Sequence, residues 1–410
     1  NDWDSSLAFS DYKSFFYPPI GLSAFLTSMF NAPDWLTYLK VRGSYTEVGN
    51  SYGRFMTTVT YPYDEQTQSW TSTSSYPNTK LKPERTKSWE VGLDARILND
   101  ISLNLTYYRS NTYNQTFYAD LSLSSGYSNI PIQSGNIMNE GLEMSLGYNK
   151  QWKDFSFNTN YTLTWNKNRV KRLADGVYNY ATGQPIQMPE LSPLTYGHTD
   201  ARLILRVGGS MGDVYGQRLL KRDLNGYILN EEGVGLAMEN KETYLGSILP
   251  KMNMGWSLGF GYKGVNLGMT FTGRFGGIVI SETQSVLDAA GVSKVSADVR
   301  DAGGVQINQS KVSAQTYYQT IQGTAAYYTY SATNVRLGEL SLSYTLPKKW
   351  FDNKVGMTVG LVGKNLWMIY CKAPFDPELT TSAASNFYQG FDAYMLPSTR
   401  NFGFNVKFQF

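Results

Sequence analysis

The chain has 410 residues, of which 15% are aromatic and 17% charged, and its net charge is +3. This charge is too small to indicate nucleic-acid binding, and a single cysteine excludes an internal disulfide framework. The mean hydropathy is −0.35, and no apolar run approaches the ~20 residues of a membrane-spanning helix. The 31 Tyr, 20 Phe and 38 Gly residues suit strands and turns. Composition therefore indicates an all-β protein, either soluble or a membrane barrel.

Strict alternation of apolar and polar residues recurs along the chain and predicts β-strands. In 101–107, 155–166, 252–262 and 402–410, one face is apolar and rich in large rings, whereas the other carries small polar residues or glycine. Several runs reach the ~9–11 residues of a membrane-spanning strand, which exceeds the ~5–6 residues of an average globular strand. The pattern predicts eleven strands, at about 15–27, 35–48, 88–97, 101–116, 138–150, 155–170, 252–262, 265–281, 334–346, 355–370 and 400–410.

The connections between these strands alternate in length. The short ones are 28–34, 98–100, 151–154, 263–264 and 347–354, and the long ones are 49–87, 117–137, 171–251, 282–333 and 371–399. An outer-membrane barrel has tight turns on the periplasmic side and long loops outside. The alternation therefore predicts a transmembrane antiparallel β-barrel whose wall faces outer-membrane lipid.

Two local features refine this prediction. Strand 334–346 changes its apolar phase between Leu337 and Leu340, which predicts a bulge near Gly338 and Glu339. Large rings lie beside the short turns and are expected to form a girdle at the periplasmic interface. These are Trp35, Tyr38, Trp152, Phe155, Tyr262, Trp350, Phe351 and Phe410.

Several segments match the motifs of one family in order and spacing. They are 81–94 (LKPERTKSWEVGLD), 107–112 (YYRSNT), 136–143 (NIMNEGLE), 336–347 (RLGELSLSYTLP), 363–366 (GKNL), 375–378 (FDPE) and 397–400 (PSTR). Their order and spacing extend over most of 15–410, and the segments resemble the SusC/RagA-type TonB-dependent transporters of Bacteroidetes outer membranes. One departure is Glu140, which stands where lysine is common.

The resemblance implies a 22-stranded barrel, of which 1–410 would supply about eleven strands as the C-terminal part. The N-terminal plug, the TonB-binding segment and the first barrel strands would then be absent from this chain. It also implies active import of an oligomeric nutrient, with oligosaccharide as the first expectation and oligopeptide as the second. A SusD-like surface lipoprotein and the TonB complex are the implied partners. No enzymatic activity, cofactor or metal is expected.

Transport needs no nucleophile, so the candidate binding residues are aromatic side chains on the long loops. Such rings can stack on sugars or pack against peptide side chains, and they can equally pack one loop against another. The first candidates are Tyr61, Tyr63, Trp70, Tyr178, Tyr196, Tyr317, Tyr328, Phe387, Tyr388 and Tyr394. Further candidates are Tyr76, Tyr180, Tyr318, Tyr327, Tyr330 and Phe391.

Three other residues are interpreted without a chemical role. His198 is the only histidine, and its neighbours contain neither a serine elbow nor a ligand-spaced partner, so no catalytic role is predicted. The segment 223–226 (DLNG) begins like a calcium loop but lacks the later ligands, which favours a simple turn. Cys371 is expected to be an unpaired thiol.

Three rival interpretations stay open at this point. A self-contained 12-strand barrel, acting as a passive pore or an autotransporter-type translocator, predicts that 1–410 closes alone. A barrel hydrolase would be centred on His198. A soluble β-sandwich predicts a polar exterior.

Overall fold

The computed structural model describes residues 2–3, 6, 10, 14–173, 184, 190–223, 226–227, 236–307, 310–352, 354–379, 381 and 386–410. Within these residues, eleven strands form one antiparallel sheet in which each strand pairs with its neighbours in sequence. They are β1 (Ile20–Phe25), β2 (Leu36–Asn50), β3 (Glu84–Ile97), β4 (Ile101–Asp120), β5 (Asn129–Trp152), β6 (Phe155–Arg172), β7 (Met252–Tyr262), β8 (Val265–Phe275), β9 (Asn334–Leu346), β10 (Gly356–Cys371) and β11 (Asn401–Gln409).

All eleven predicted strands are confirmed, but their bounds differ clearly from the prediction in three places. β1 begins at Ile20 rather than 15, because Pro18 and Pro19 cannot donate to a ladder, and it ends at Phe25, where a one-turn helix, α1 (Leu26–Met29), follows. β8 ends at Phe275 rather than 281, because Gly276 and Gly277 turn the chain away with φ of +77° and +82°.

The third error concerns the predicted long connection 117–137. β4 and β5 continue to Asp120 and from Asn129, so only 121–128, with a 3₁₀ turn at Leu123–Ser125, links them. The extension holds because Phe117 pairs with Ile132, and both side chains are buried. This hairpin therefore rises above its neighbours as part of a folded layer.

The short turns match their predicted geometry. Lys263 and Gly264 join β7 to β8 with φ of +46° and +90°, and Leu98 and Asn99 begin the β3–β4 turn with φ of +50° and +60°. Positive φ at consecutive turn residues matches the twist of the flanking strands. The bulge is also confirmed, because the register between β8 and β9 skips Gly338.

The eleven-stranded sheet, which we call the wall, has one exposed apolar face. Phe402 and Phe404 are 80% and 78% exposed, and Leu361 of β10, opposite Phe404, is 64% exposed. Six of the eight rings beside the short turns are exposed as well, whereas Tyr38 and Phe351 are partly buried. Trp152 stacks on Phe155 with centroids 5.7 Å apart. The soluble-sandwich prediction of a polar exterior is wrong, because this surface is apolar across the strands.

The long connections form a folded layer at the other end of the strands, which we call the loop layer. It contains a four-stranded sheet (Glu190–Thr195, Arg202–Arg206, Asp213–Leu220, Met238–Ser247), a three-stranded sheet (Thr329–Ser331, Ile278–Ser281, Phe391–Asp392), and helices α2 (Glu282–Ala289), α3 (Lys294–Asp301) and α4 (Ala314–Ile321). Shorter elements are the strand pairs Asp2–Trp3 with Ser14–Phe15, Tyr63–Asp64 with Ser69–Trp70, Arg222–Asp223 with Gly226–Tyr227, and Val305–Ile307 with Ser310–Val312. Further 3₁₀ turns lie at Ala325–Tyr327, Lys348–Phe351 and Asn386–Gly390.

The main hydrophobic core joins the loop layer to the ends of the long strands. Leu203, Val214, Ile248 and Ile280 are fully buried there, and they come from four separate segments. Val170 of β6 and the Phe117–Ile132 pair belong to the same cluster, so the loop layer packs onto the end of the sheet. No helix in the described part of the chain is long and apolar enough to cross a membrane.

Candidate functional site

The other face of the wall is polar. Glycines on this face leave room for longer side chains from neighbouring strands to lie across it. Arg42 of β2 reaches over Gly92 of β3 and donates to Thr106 Oγ1 of β4 at 2.6 Å. A Cβ at Gly92 would collide with the Arg42 side chain. The polar face is thus an ordered hydrogen-bonded surface that spans several strands.

A second crossing has the same design. Tyr108 of β4 lies over Gly141 of β5 and donates to Asn166 Oδ1 of β6 at 3.0 Å. A Cβ at Gly141 would lie 2.5 Å from the Trp165 carbonyl and 2.6 Å from the Tyr108 ring. Since the carbonyl is backbone, this position accepts only glycine without a shift of the sheet.

The predicted aromatic residues separate into exposed and buried groups. Tyr61, Trp70 and Tyr394 are 62%, 70% and 60% exposed, and Tyr63 is about half exposed. Tyr63 and Trp70 pair across a short hairpin with ring centroids 5.1 Å apart. This pair presents two adjacent rings, tilted by 58° to each other, to solvent.

Tyr196 and Tyr328 lie inside the loop layer instead. Tyr196 is fully buried, donates to the Phe387 carbonyl at 2.7 Å, and packs on Tyr388 and Phe391 with centroids 6.1 Å and 5.2 Å apart. Burial raises the pKa of Tyr196 and of Tyr328 above the ordinary tyrosine range. In this structure both residues hold loops together.

The remaining candidates range from the exposed Tyr76 to the buried Tyr318, and two of them lie outside the described residues. Tyr317 contacts Tyr318 edge to face at 5.2 Å, Tyr327 accepts from the Leu220 N–H, and Tyr330 packs on Phe375. Tyr76 packs on Tyr127 at 5.2 Å. Phe387 lines a cavity of ≈450 Å³ with Tyr118 and Glu190. Tyr178 and Tyr180 fall outside the described residues. Ligand contact stays a prediction for all of these residues.

Sequence reasoning missed a buried ion pair that fastens the last long connection to the wall. Arg336 of β9 donates to both carboxylate oxygens of Asp376 at 2.9 Å and 2.7 Å, and both side chains are buried. Arg336 also donates to Asn334 Oδ1, and Glu378 lies 3.5 Å from it. Burial by itself raises the pKa of Asp376, but the Arg336 guanidinium outweighs it and holds that pKa below the usual range.

A second missed residue organises the loop layer. Asp200 accepts hydrogen bonds from the backbone N–H groups of Gln217, Arg218 and Ala325 at 3.0 Å, 2.7 Å and 2.6 Å. It thereby joins the four-stranded sheet to the segment that follows α4. The sequence gives little indication of this role, because a single Asp two positions after His198 does not reveal which backbone N–H groups it will meet after folding.

The three residues left without a chemical role can now be located. His198 is exposed, and its backbone N–H contacts Glu282 Oε2 at 3.4 Å. Asp223 pairs with Gly226 in a short antiparallel ladder, and 224–225 lie outside the described residues. Cys371 is a free thiol that donates to the carbonyls of Ala373 and Phe375. In the part of the chain that the structure describes, no group of three or more metal-ligating side chains is found.

The antiparallel wall, its apolar outer face and the loop layer define a segment of a transmembrane β-barrel. The chain belongs to the family described as TonB dependent receptor-like, beta-barrel, whose model matches residues 2–366. It is a protein of the outer membrane.

Individual relatives agree with this assignment. TonB-dependent receptor P3 of Formosa agariphila is 25% identical over 99% of this chain and 43% of its own length. TonB-dependent receptor SusC of Bacteroides thetaiotaomicron is 27% identical over 37% of this chain and 14% of its own length. The RagAB peptide importer in its open-open state shares the fold, with a TM-score of 0.70 and 20% identity over 97% of this chain and 43% of the other. The relatives that match nearly all of this chain are more than twice as long, so the chain spans less than half of their length.

Proposed function

We propose that the protein containing this chain is an active importer that carries an oligomeric nutrient across the outer membrane, with oligosaccharide as the first candidate and oligopeptide as the second. The supporting observation is a wall with an ordered polar face, capped by a folded layer that presents the exposed Tyr63–Trp70 pair. Paired rings can stack on a sugar or hold a peptide side chain. Transport, not catalysis, is the proposed activity.

We also propose that the sheet closes with further strands into a larger barrel. β1 and β11 stand at opposite edges of the described sheet rather than pairing with each other. An open edge does not persist in hydrocarbon, because its backbone groups would lack partners. This edge arrangement argues against a self-contained 12-strand pore or translocator, and it fits 1–410 as the C-terminal part of a 22-stranded barrel with a plug.

A SusD-like lipoprotein above the loop layer and TonB as the energy source complete the proposal. The energy source can be tested in cells that carry the intact receptor and its lipoprotein. We expect nutrient uptake to stop when TonB is deleted or the proton gradient is collapsed. Uptake that persists under both treatments would identify a passive pore and reject the proposal.

The substrate class requires a separate measurement. Binding of neutral oligosaccharides and of oligopeptides to the purified receptor–lipoprotein complex should show one class bound and the other not. Trp70→Ala should weaken that binding several-fold, because it removes one ring of the exposed pair. Trp350→Ala is the matched control, since it removes an equally exposed indole beside a short turn. Equal losses in both variants would exclude the loop pair as the contact.

A further inference from the structure

The outer surface of β6 changes character near its loop-layer end. From Phe155 to Trp165 its outward residues are apolar apart from Thr159, and the next two outward residues are Lys167 and Arg169. The apolar band of an outer-membrane barrel is about 25 Å tall and is bounded by aromatic rings. Trp165 therefore marks the interface, and two basic side chains lie immediately outside it.

The wall opens at the same level. Asn166 N–H donates to the Lys251 carbonyl at 3.1 Å, and further along β6 Val170 exchanges bonds of 2.8 Å with Gly208 and Gly209. Between these contacts lies a cleft of ≈630 Å³, bordered by Trp165, Lys167, Arg169, Ser210, Tyr244 and Lys251. Three cationic groups, an indole and a phenol thus surround one opening.

The accessible charge of this cleft is positive. Its acidic lining residue, Asp213, is buried and already accepts from Ser210 N–H at 2.8 Å and Tyr244 O–H at 3.1 Å. Lys167 lies 3.9 Å from Glu140, and its side chain stays 46% exposed. Lys251 is exposed and Arg169 is half-buried.

We propose that this cleft binds a phosphate group on the headgroup of an outer-leaflet lipid. Lys and Arg form charge-assisted hydrogen bonds to phosphate, and Trp and Tyr rings favour the depth of lipid headgroups. A lipid is the occupant that the position favours, because Lys167 and Arg169 share the face of Leu163 and Trp165 and so continue the lipid-facing surface.

The test uses the intact receptor in detergent, with phosphorylated lipid A and the same lipid after enzymatic removal of its phosphates as probes. Native mass spectrometry would measure the bound fraction of each. Wild type should prefer the phosphorylated lipid. The triple variant Lys167→Gln, Arg169→Gln, Lys251→Gln should lose that preference, by about fivefold for each basic residue removed.

Lys153→Gln with Lys263→Gln is the matched control, because it removes two lysines from the opposite turns of the same strands, and it should leave the preference intact. Lys251 lies outside the β6–β7 ladder. The single variant Lys251→Gln therefore still tests the proposal if the triple variant fails to insert into the membrane. The proposal would be overturned if wild type bound both lipids equally, or if the preference were unchanged in the triple variant or in Lys251→Gln. Displacement of the lipid by inorganic phosphate at equal affinity would overturn it as well.

Discussion

Single glycines determine whether the polar face of the wall can form. Gly92 and Gly141 each lie beneath a side chain that crosses over the glycine's own strand to reach the strand beyond it. A Cβ at Gly43, by contrast, would meet nothing closer than 3.9 Å. The obstacle at Gly92 is the movable side chain of Arg42, but at Gly141 it is the Trp165 carbonyl. The two crossings therefore differ in how much an added methyl group should cost.

We predict that Gly141→Ala destabilises the barrel most, by about 1–3 kcal/mol, because overpacking there must displace backbone. Gly92→Ala should cost less and should release Arg42 from Thr106. Gly43→Ala in the same sheet is the control and should change little. Thermal unfolding in detergent measures all three, and an equal effect of the three substitutions would contradict the account.

The Arg336–Asp376 pair should matter far more than a surface pair. Removing one partner leaves a buried charge, so Arg336→Ala is expected to cost about 3–5 kcal/mol. Arg336→Lys should also be less stable than wild type, because an ammonium cannot donate the two parallel hydrogen bonds that the guanidinium gives to Asp376. Lys294→Ala removes one half of an exposed pair and should cost no more than about 1 kcal/mol. Limited proteolysis between 372 and 399 reports whether the connection detaches, and resistance in Arg336→Ala would argue against this anchor.

The same pair predicts a pH dependence. Because Arg336 holds the pKa of Asp376 below its usual range, the stabilisation is present above the unfolded-state pKa and is lost as pH falls through the lower folded-state value. The difference in melting temperature between wild type and Asp376→Asn should therefore be constant from neutral pH to about 4, the ordinary range of Asp, and shrink below it. A difference that shrinks above pH 5 would contradict this assignment.

Individual turns set the register of the wall at the scale of elements. Lys263 sits at φ +46°, a conformation that Asn tolerates and β-branched residues resist. Lys263→Val should lower barrel stability, because a β-branched side chain tolerates positive φ less well than lysine does, whereas Lys263→Asn should be neutral or stabilising. Lys407→Val, which removes a lysine from strand β11, controls for the loss of the lysine itself. Equal melting temperatures for the Val and Asn variants at 263 would rule out the turn as the cause.

The strands themselves were predictable because one periodicity acts on one surface. In β6 and β7, for example, every second residue faces lipid, so alternation alone located both strands and the two-residue turn that follows β7. It failed for 117–137, where Phe117 and Ile132 are buried by the loop layer rather than by the membrane. It also failed at Gly276, because the apolar run 278–280 that follows the two glycines belongs to another sheet, which the sequence pattern alone does not reveal.

The site was less predictable than the wall, for a reason of the same kind. Tyr196 and Trp70 look alike as loop aromatics, yet one is fully buried and the other 70% exposed. Their difference depends on which distant segments pack together, such as 196 with 387. Arg336 and Asp376 likewise meet only after folding, because 40 positions separate them in sequence.

On the scale of the whole molecule, the structure describes one section of an outer-membrane barrel in which all short turns share one side and the loop layer occupies the other. Family membership and the apolar wall support the same orientation. The arrangement places the loop layer outside the cell and the short turns in the periplasm.

Cysteine labelling in intact cells tests this orientation most directly, in a Cys371→Ser background that removes the one cysteine of this chain. Single cysteines would be introduced as Gln66→Cys and Ser124→Cys in the loop layer, and as Lys153→Cys and Lys263→Cys in the short turns. A membrane-impermeant maleimide should label the first two in intact cells and the last two only after the outer membrane is permeabilised. Labelling of Lys153→Cys or Lys263→Cys in intact cells would contradict the account.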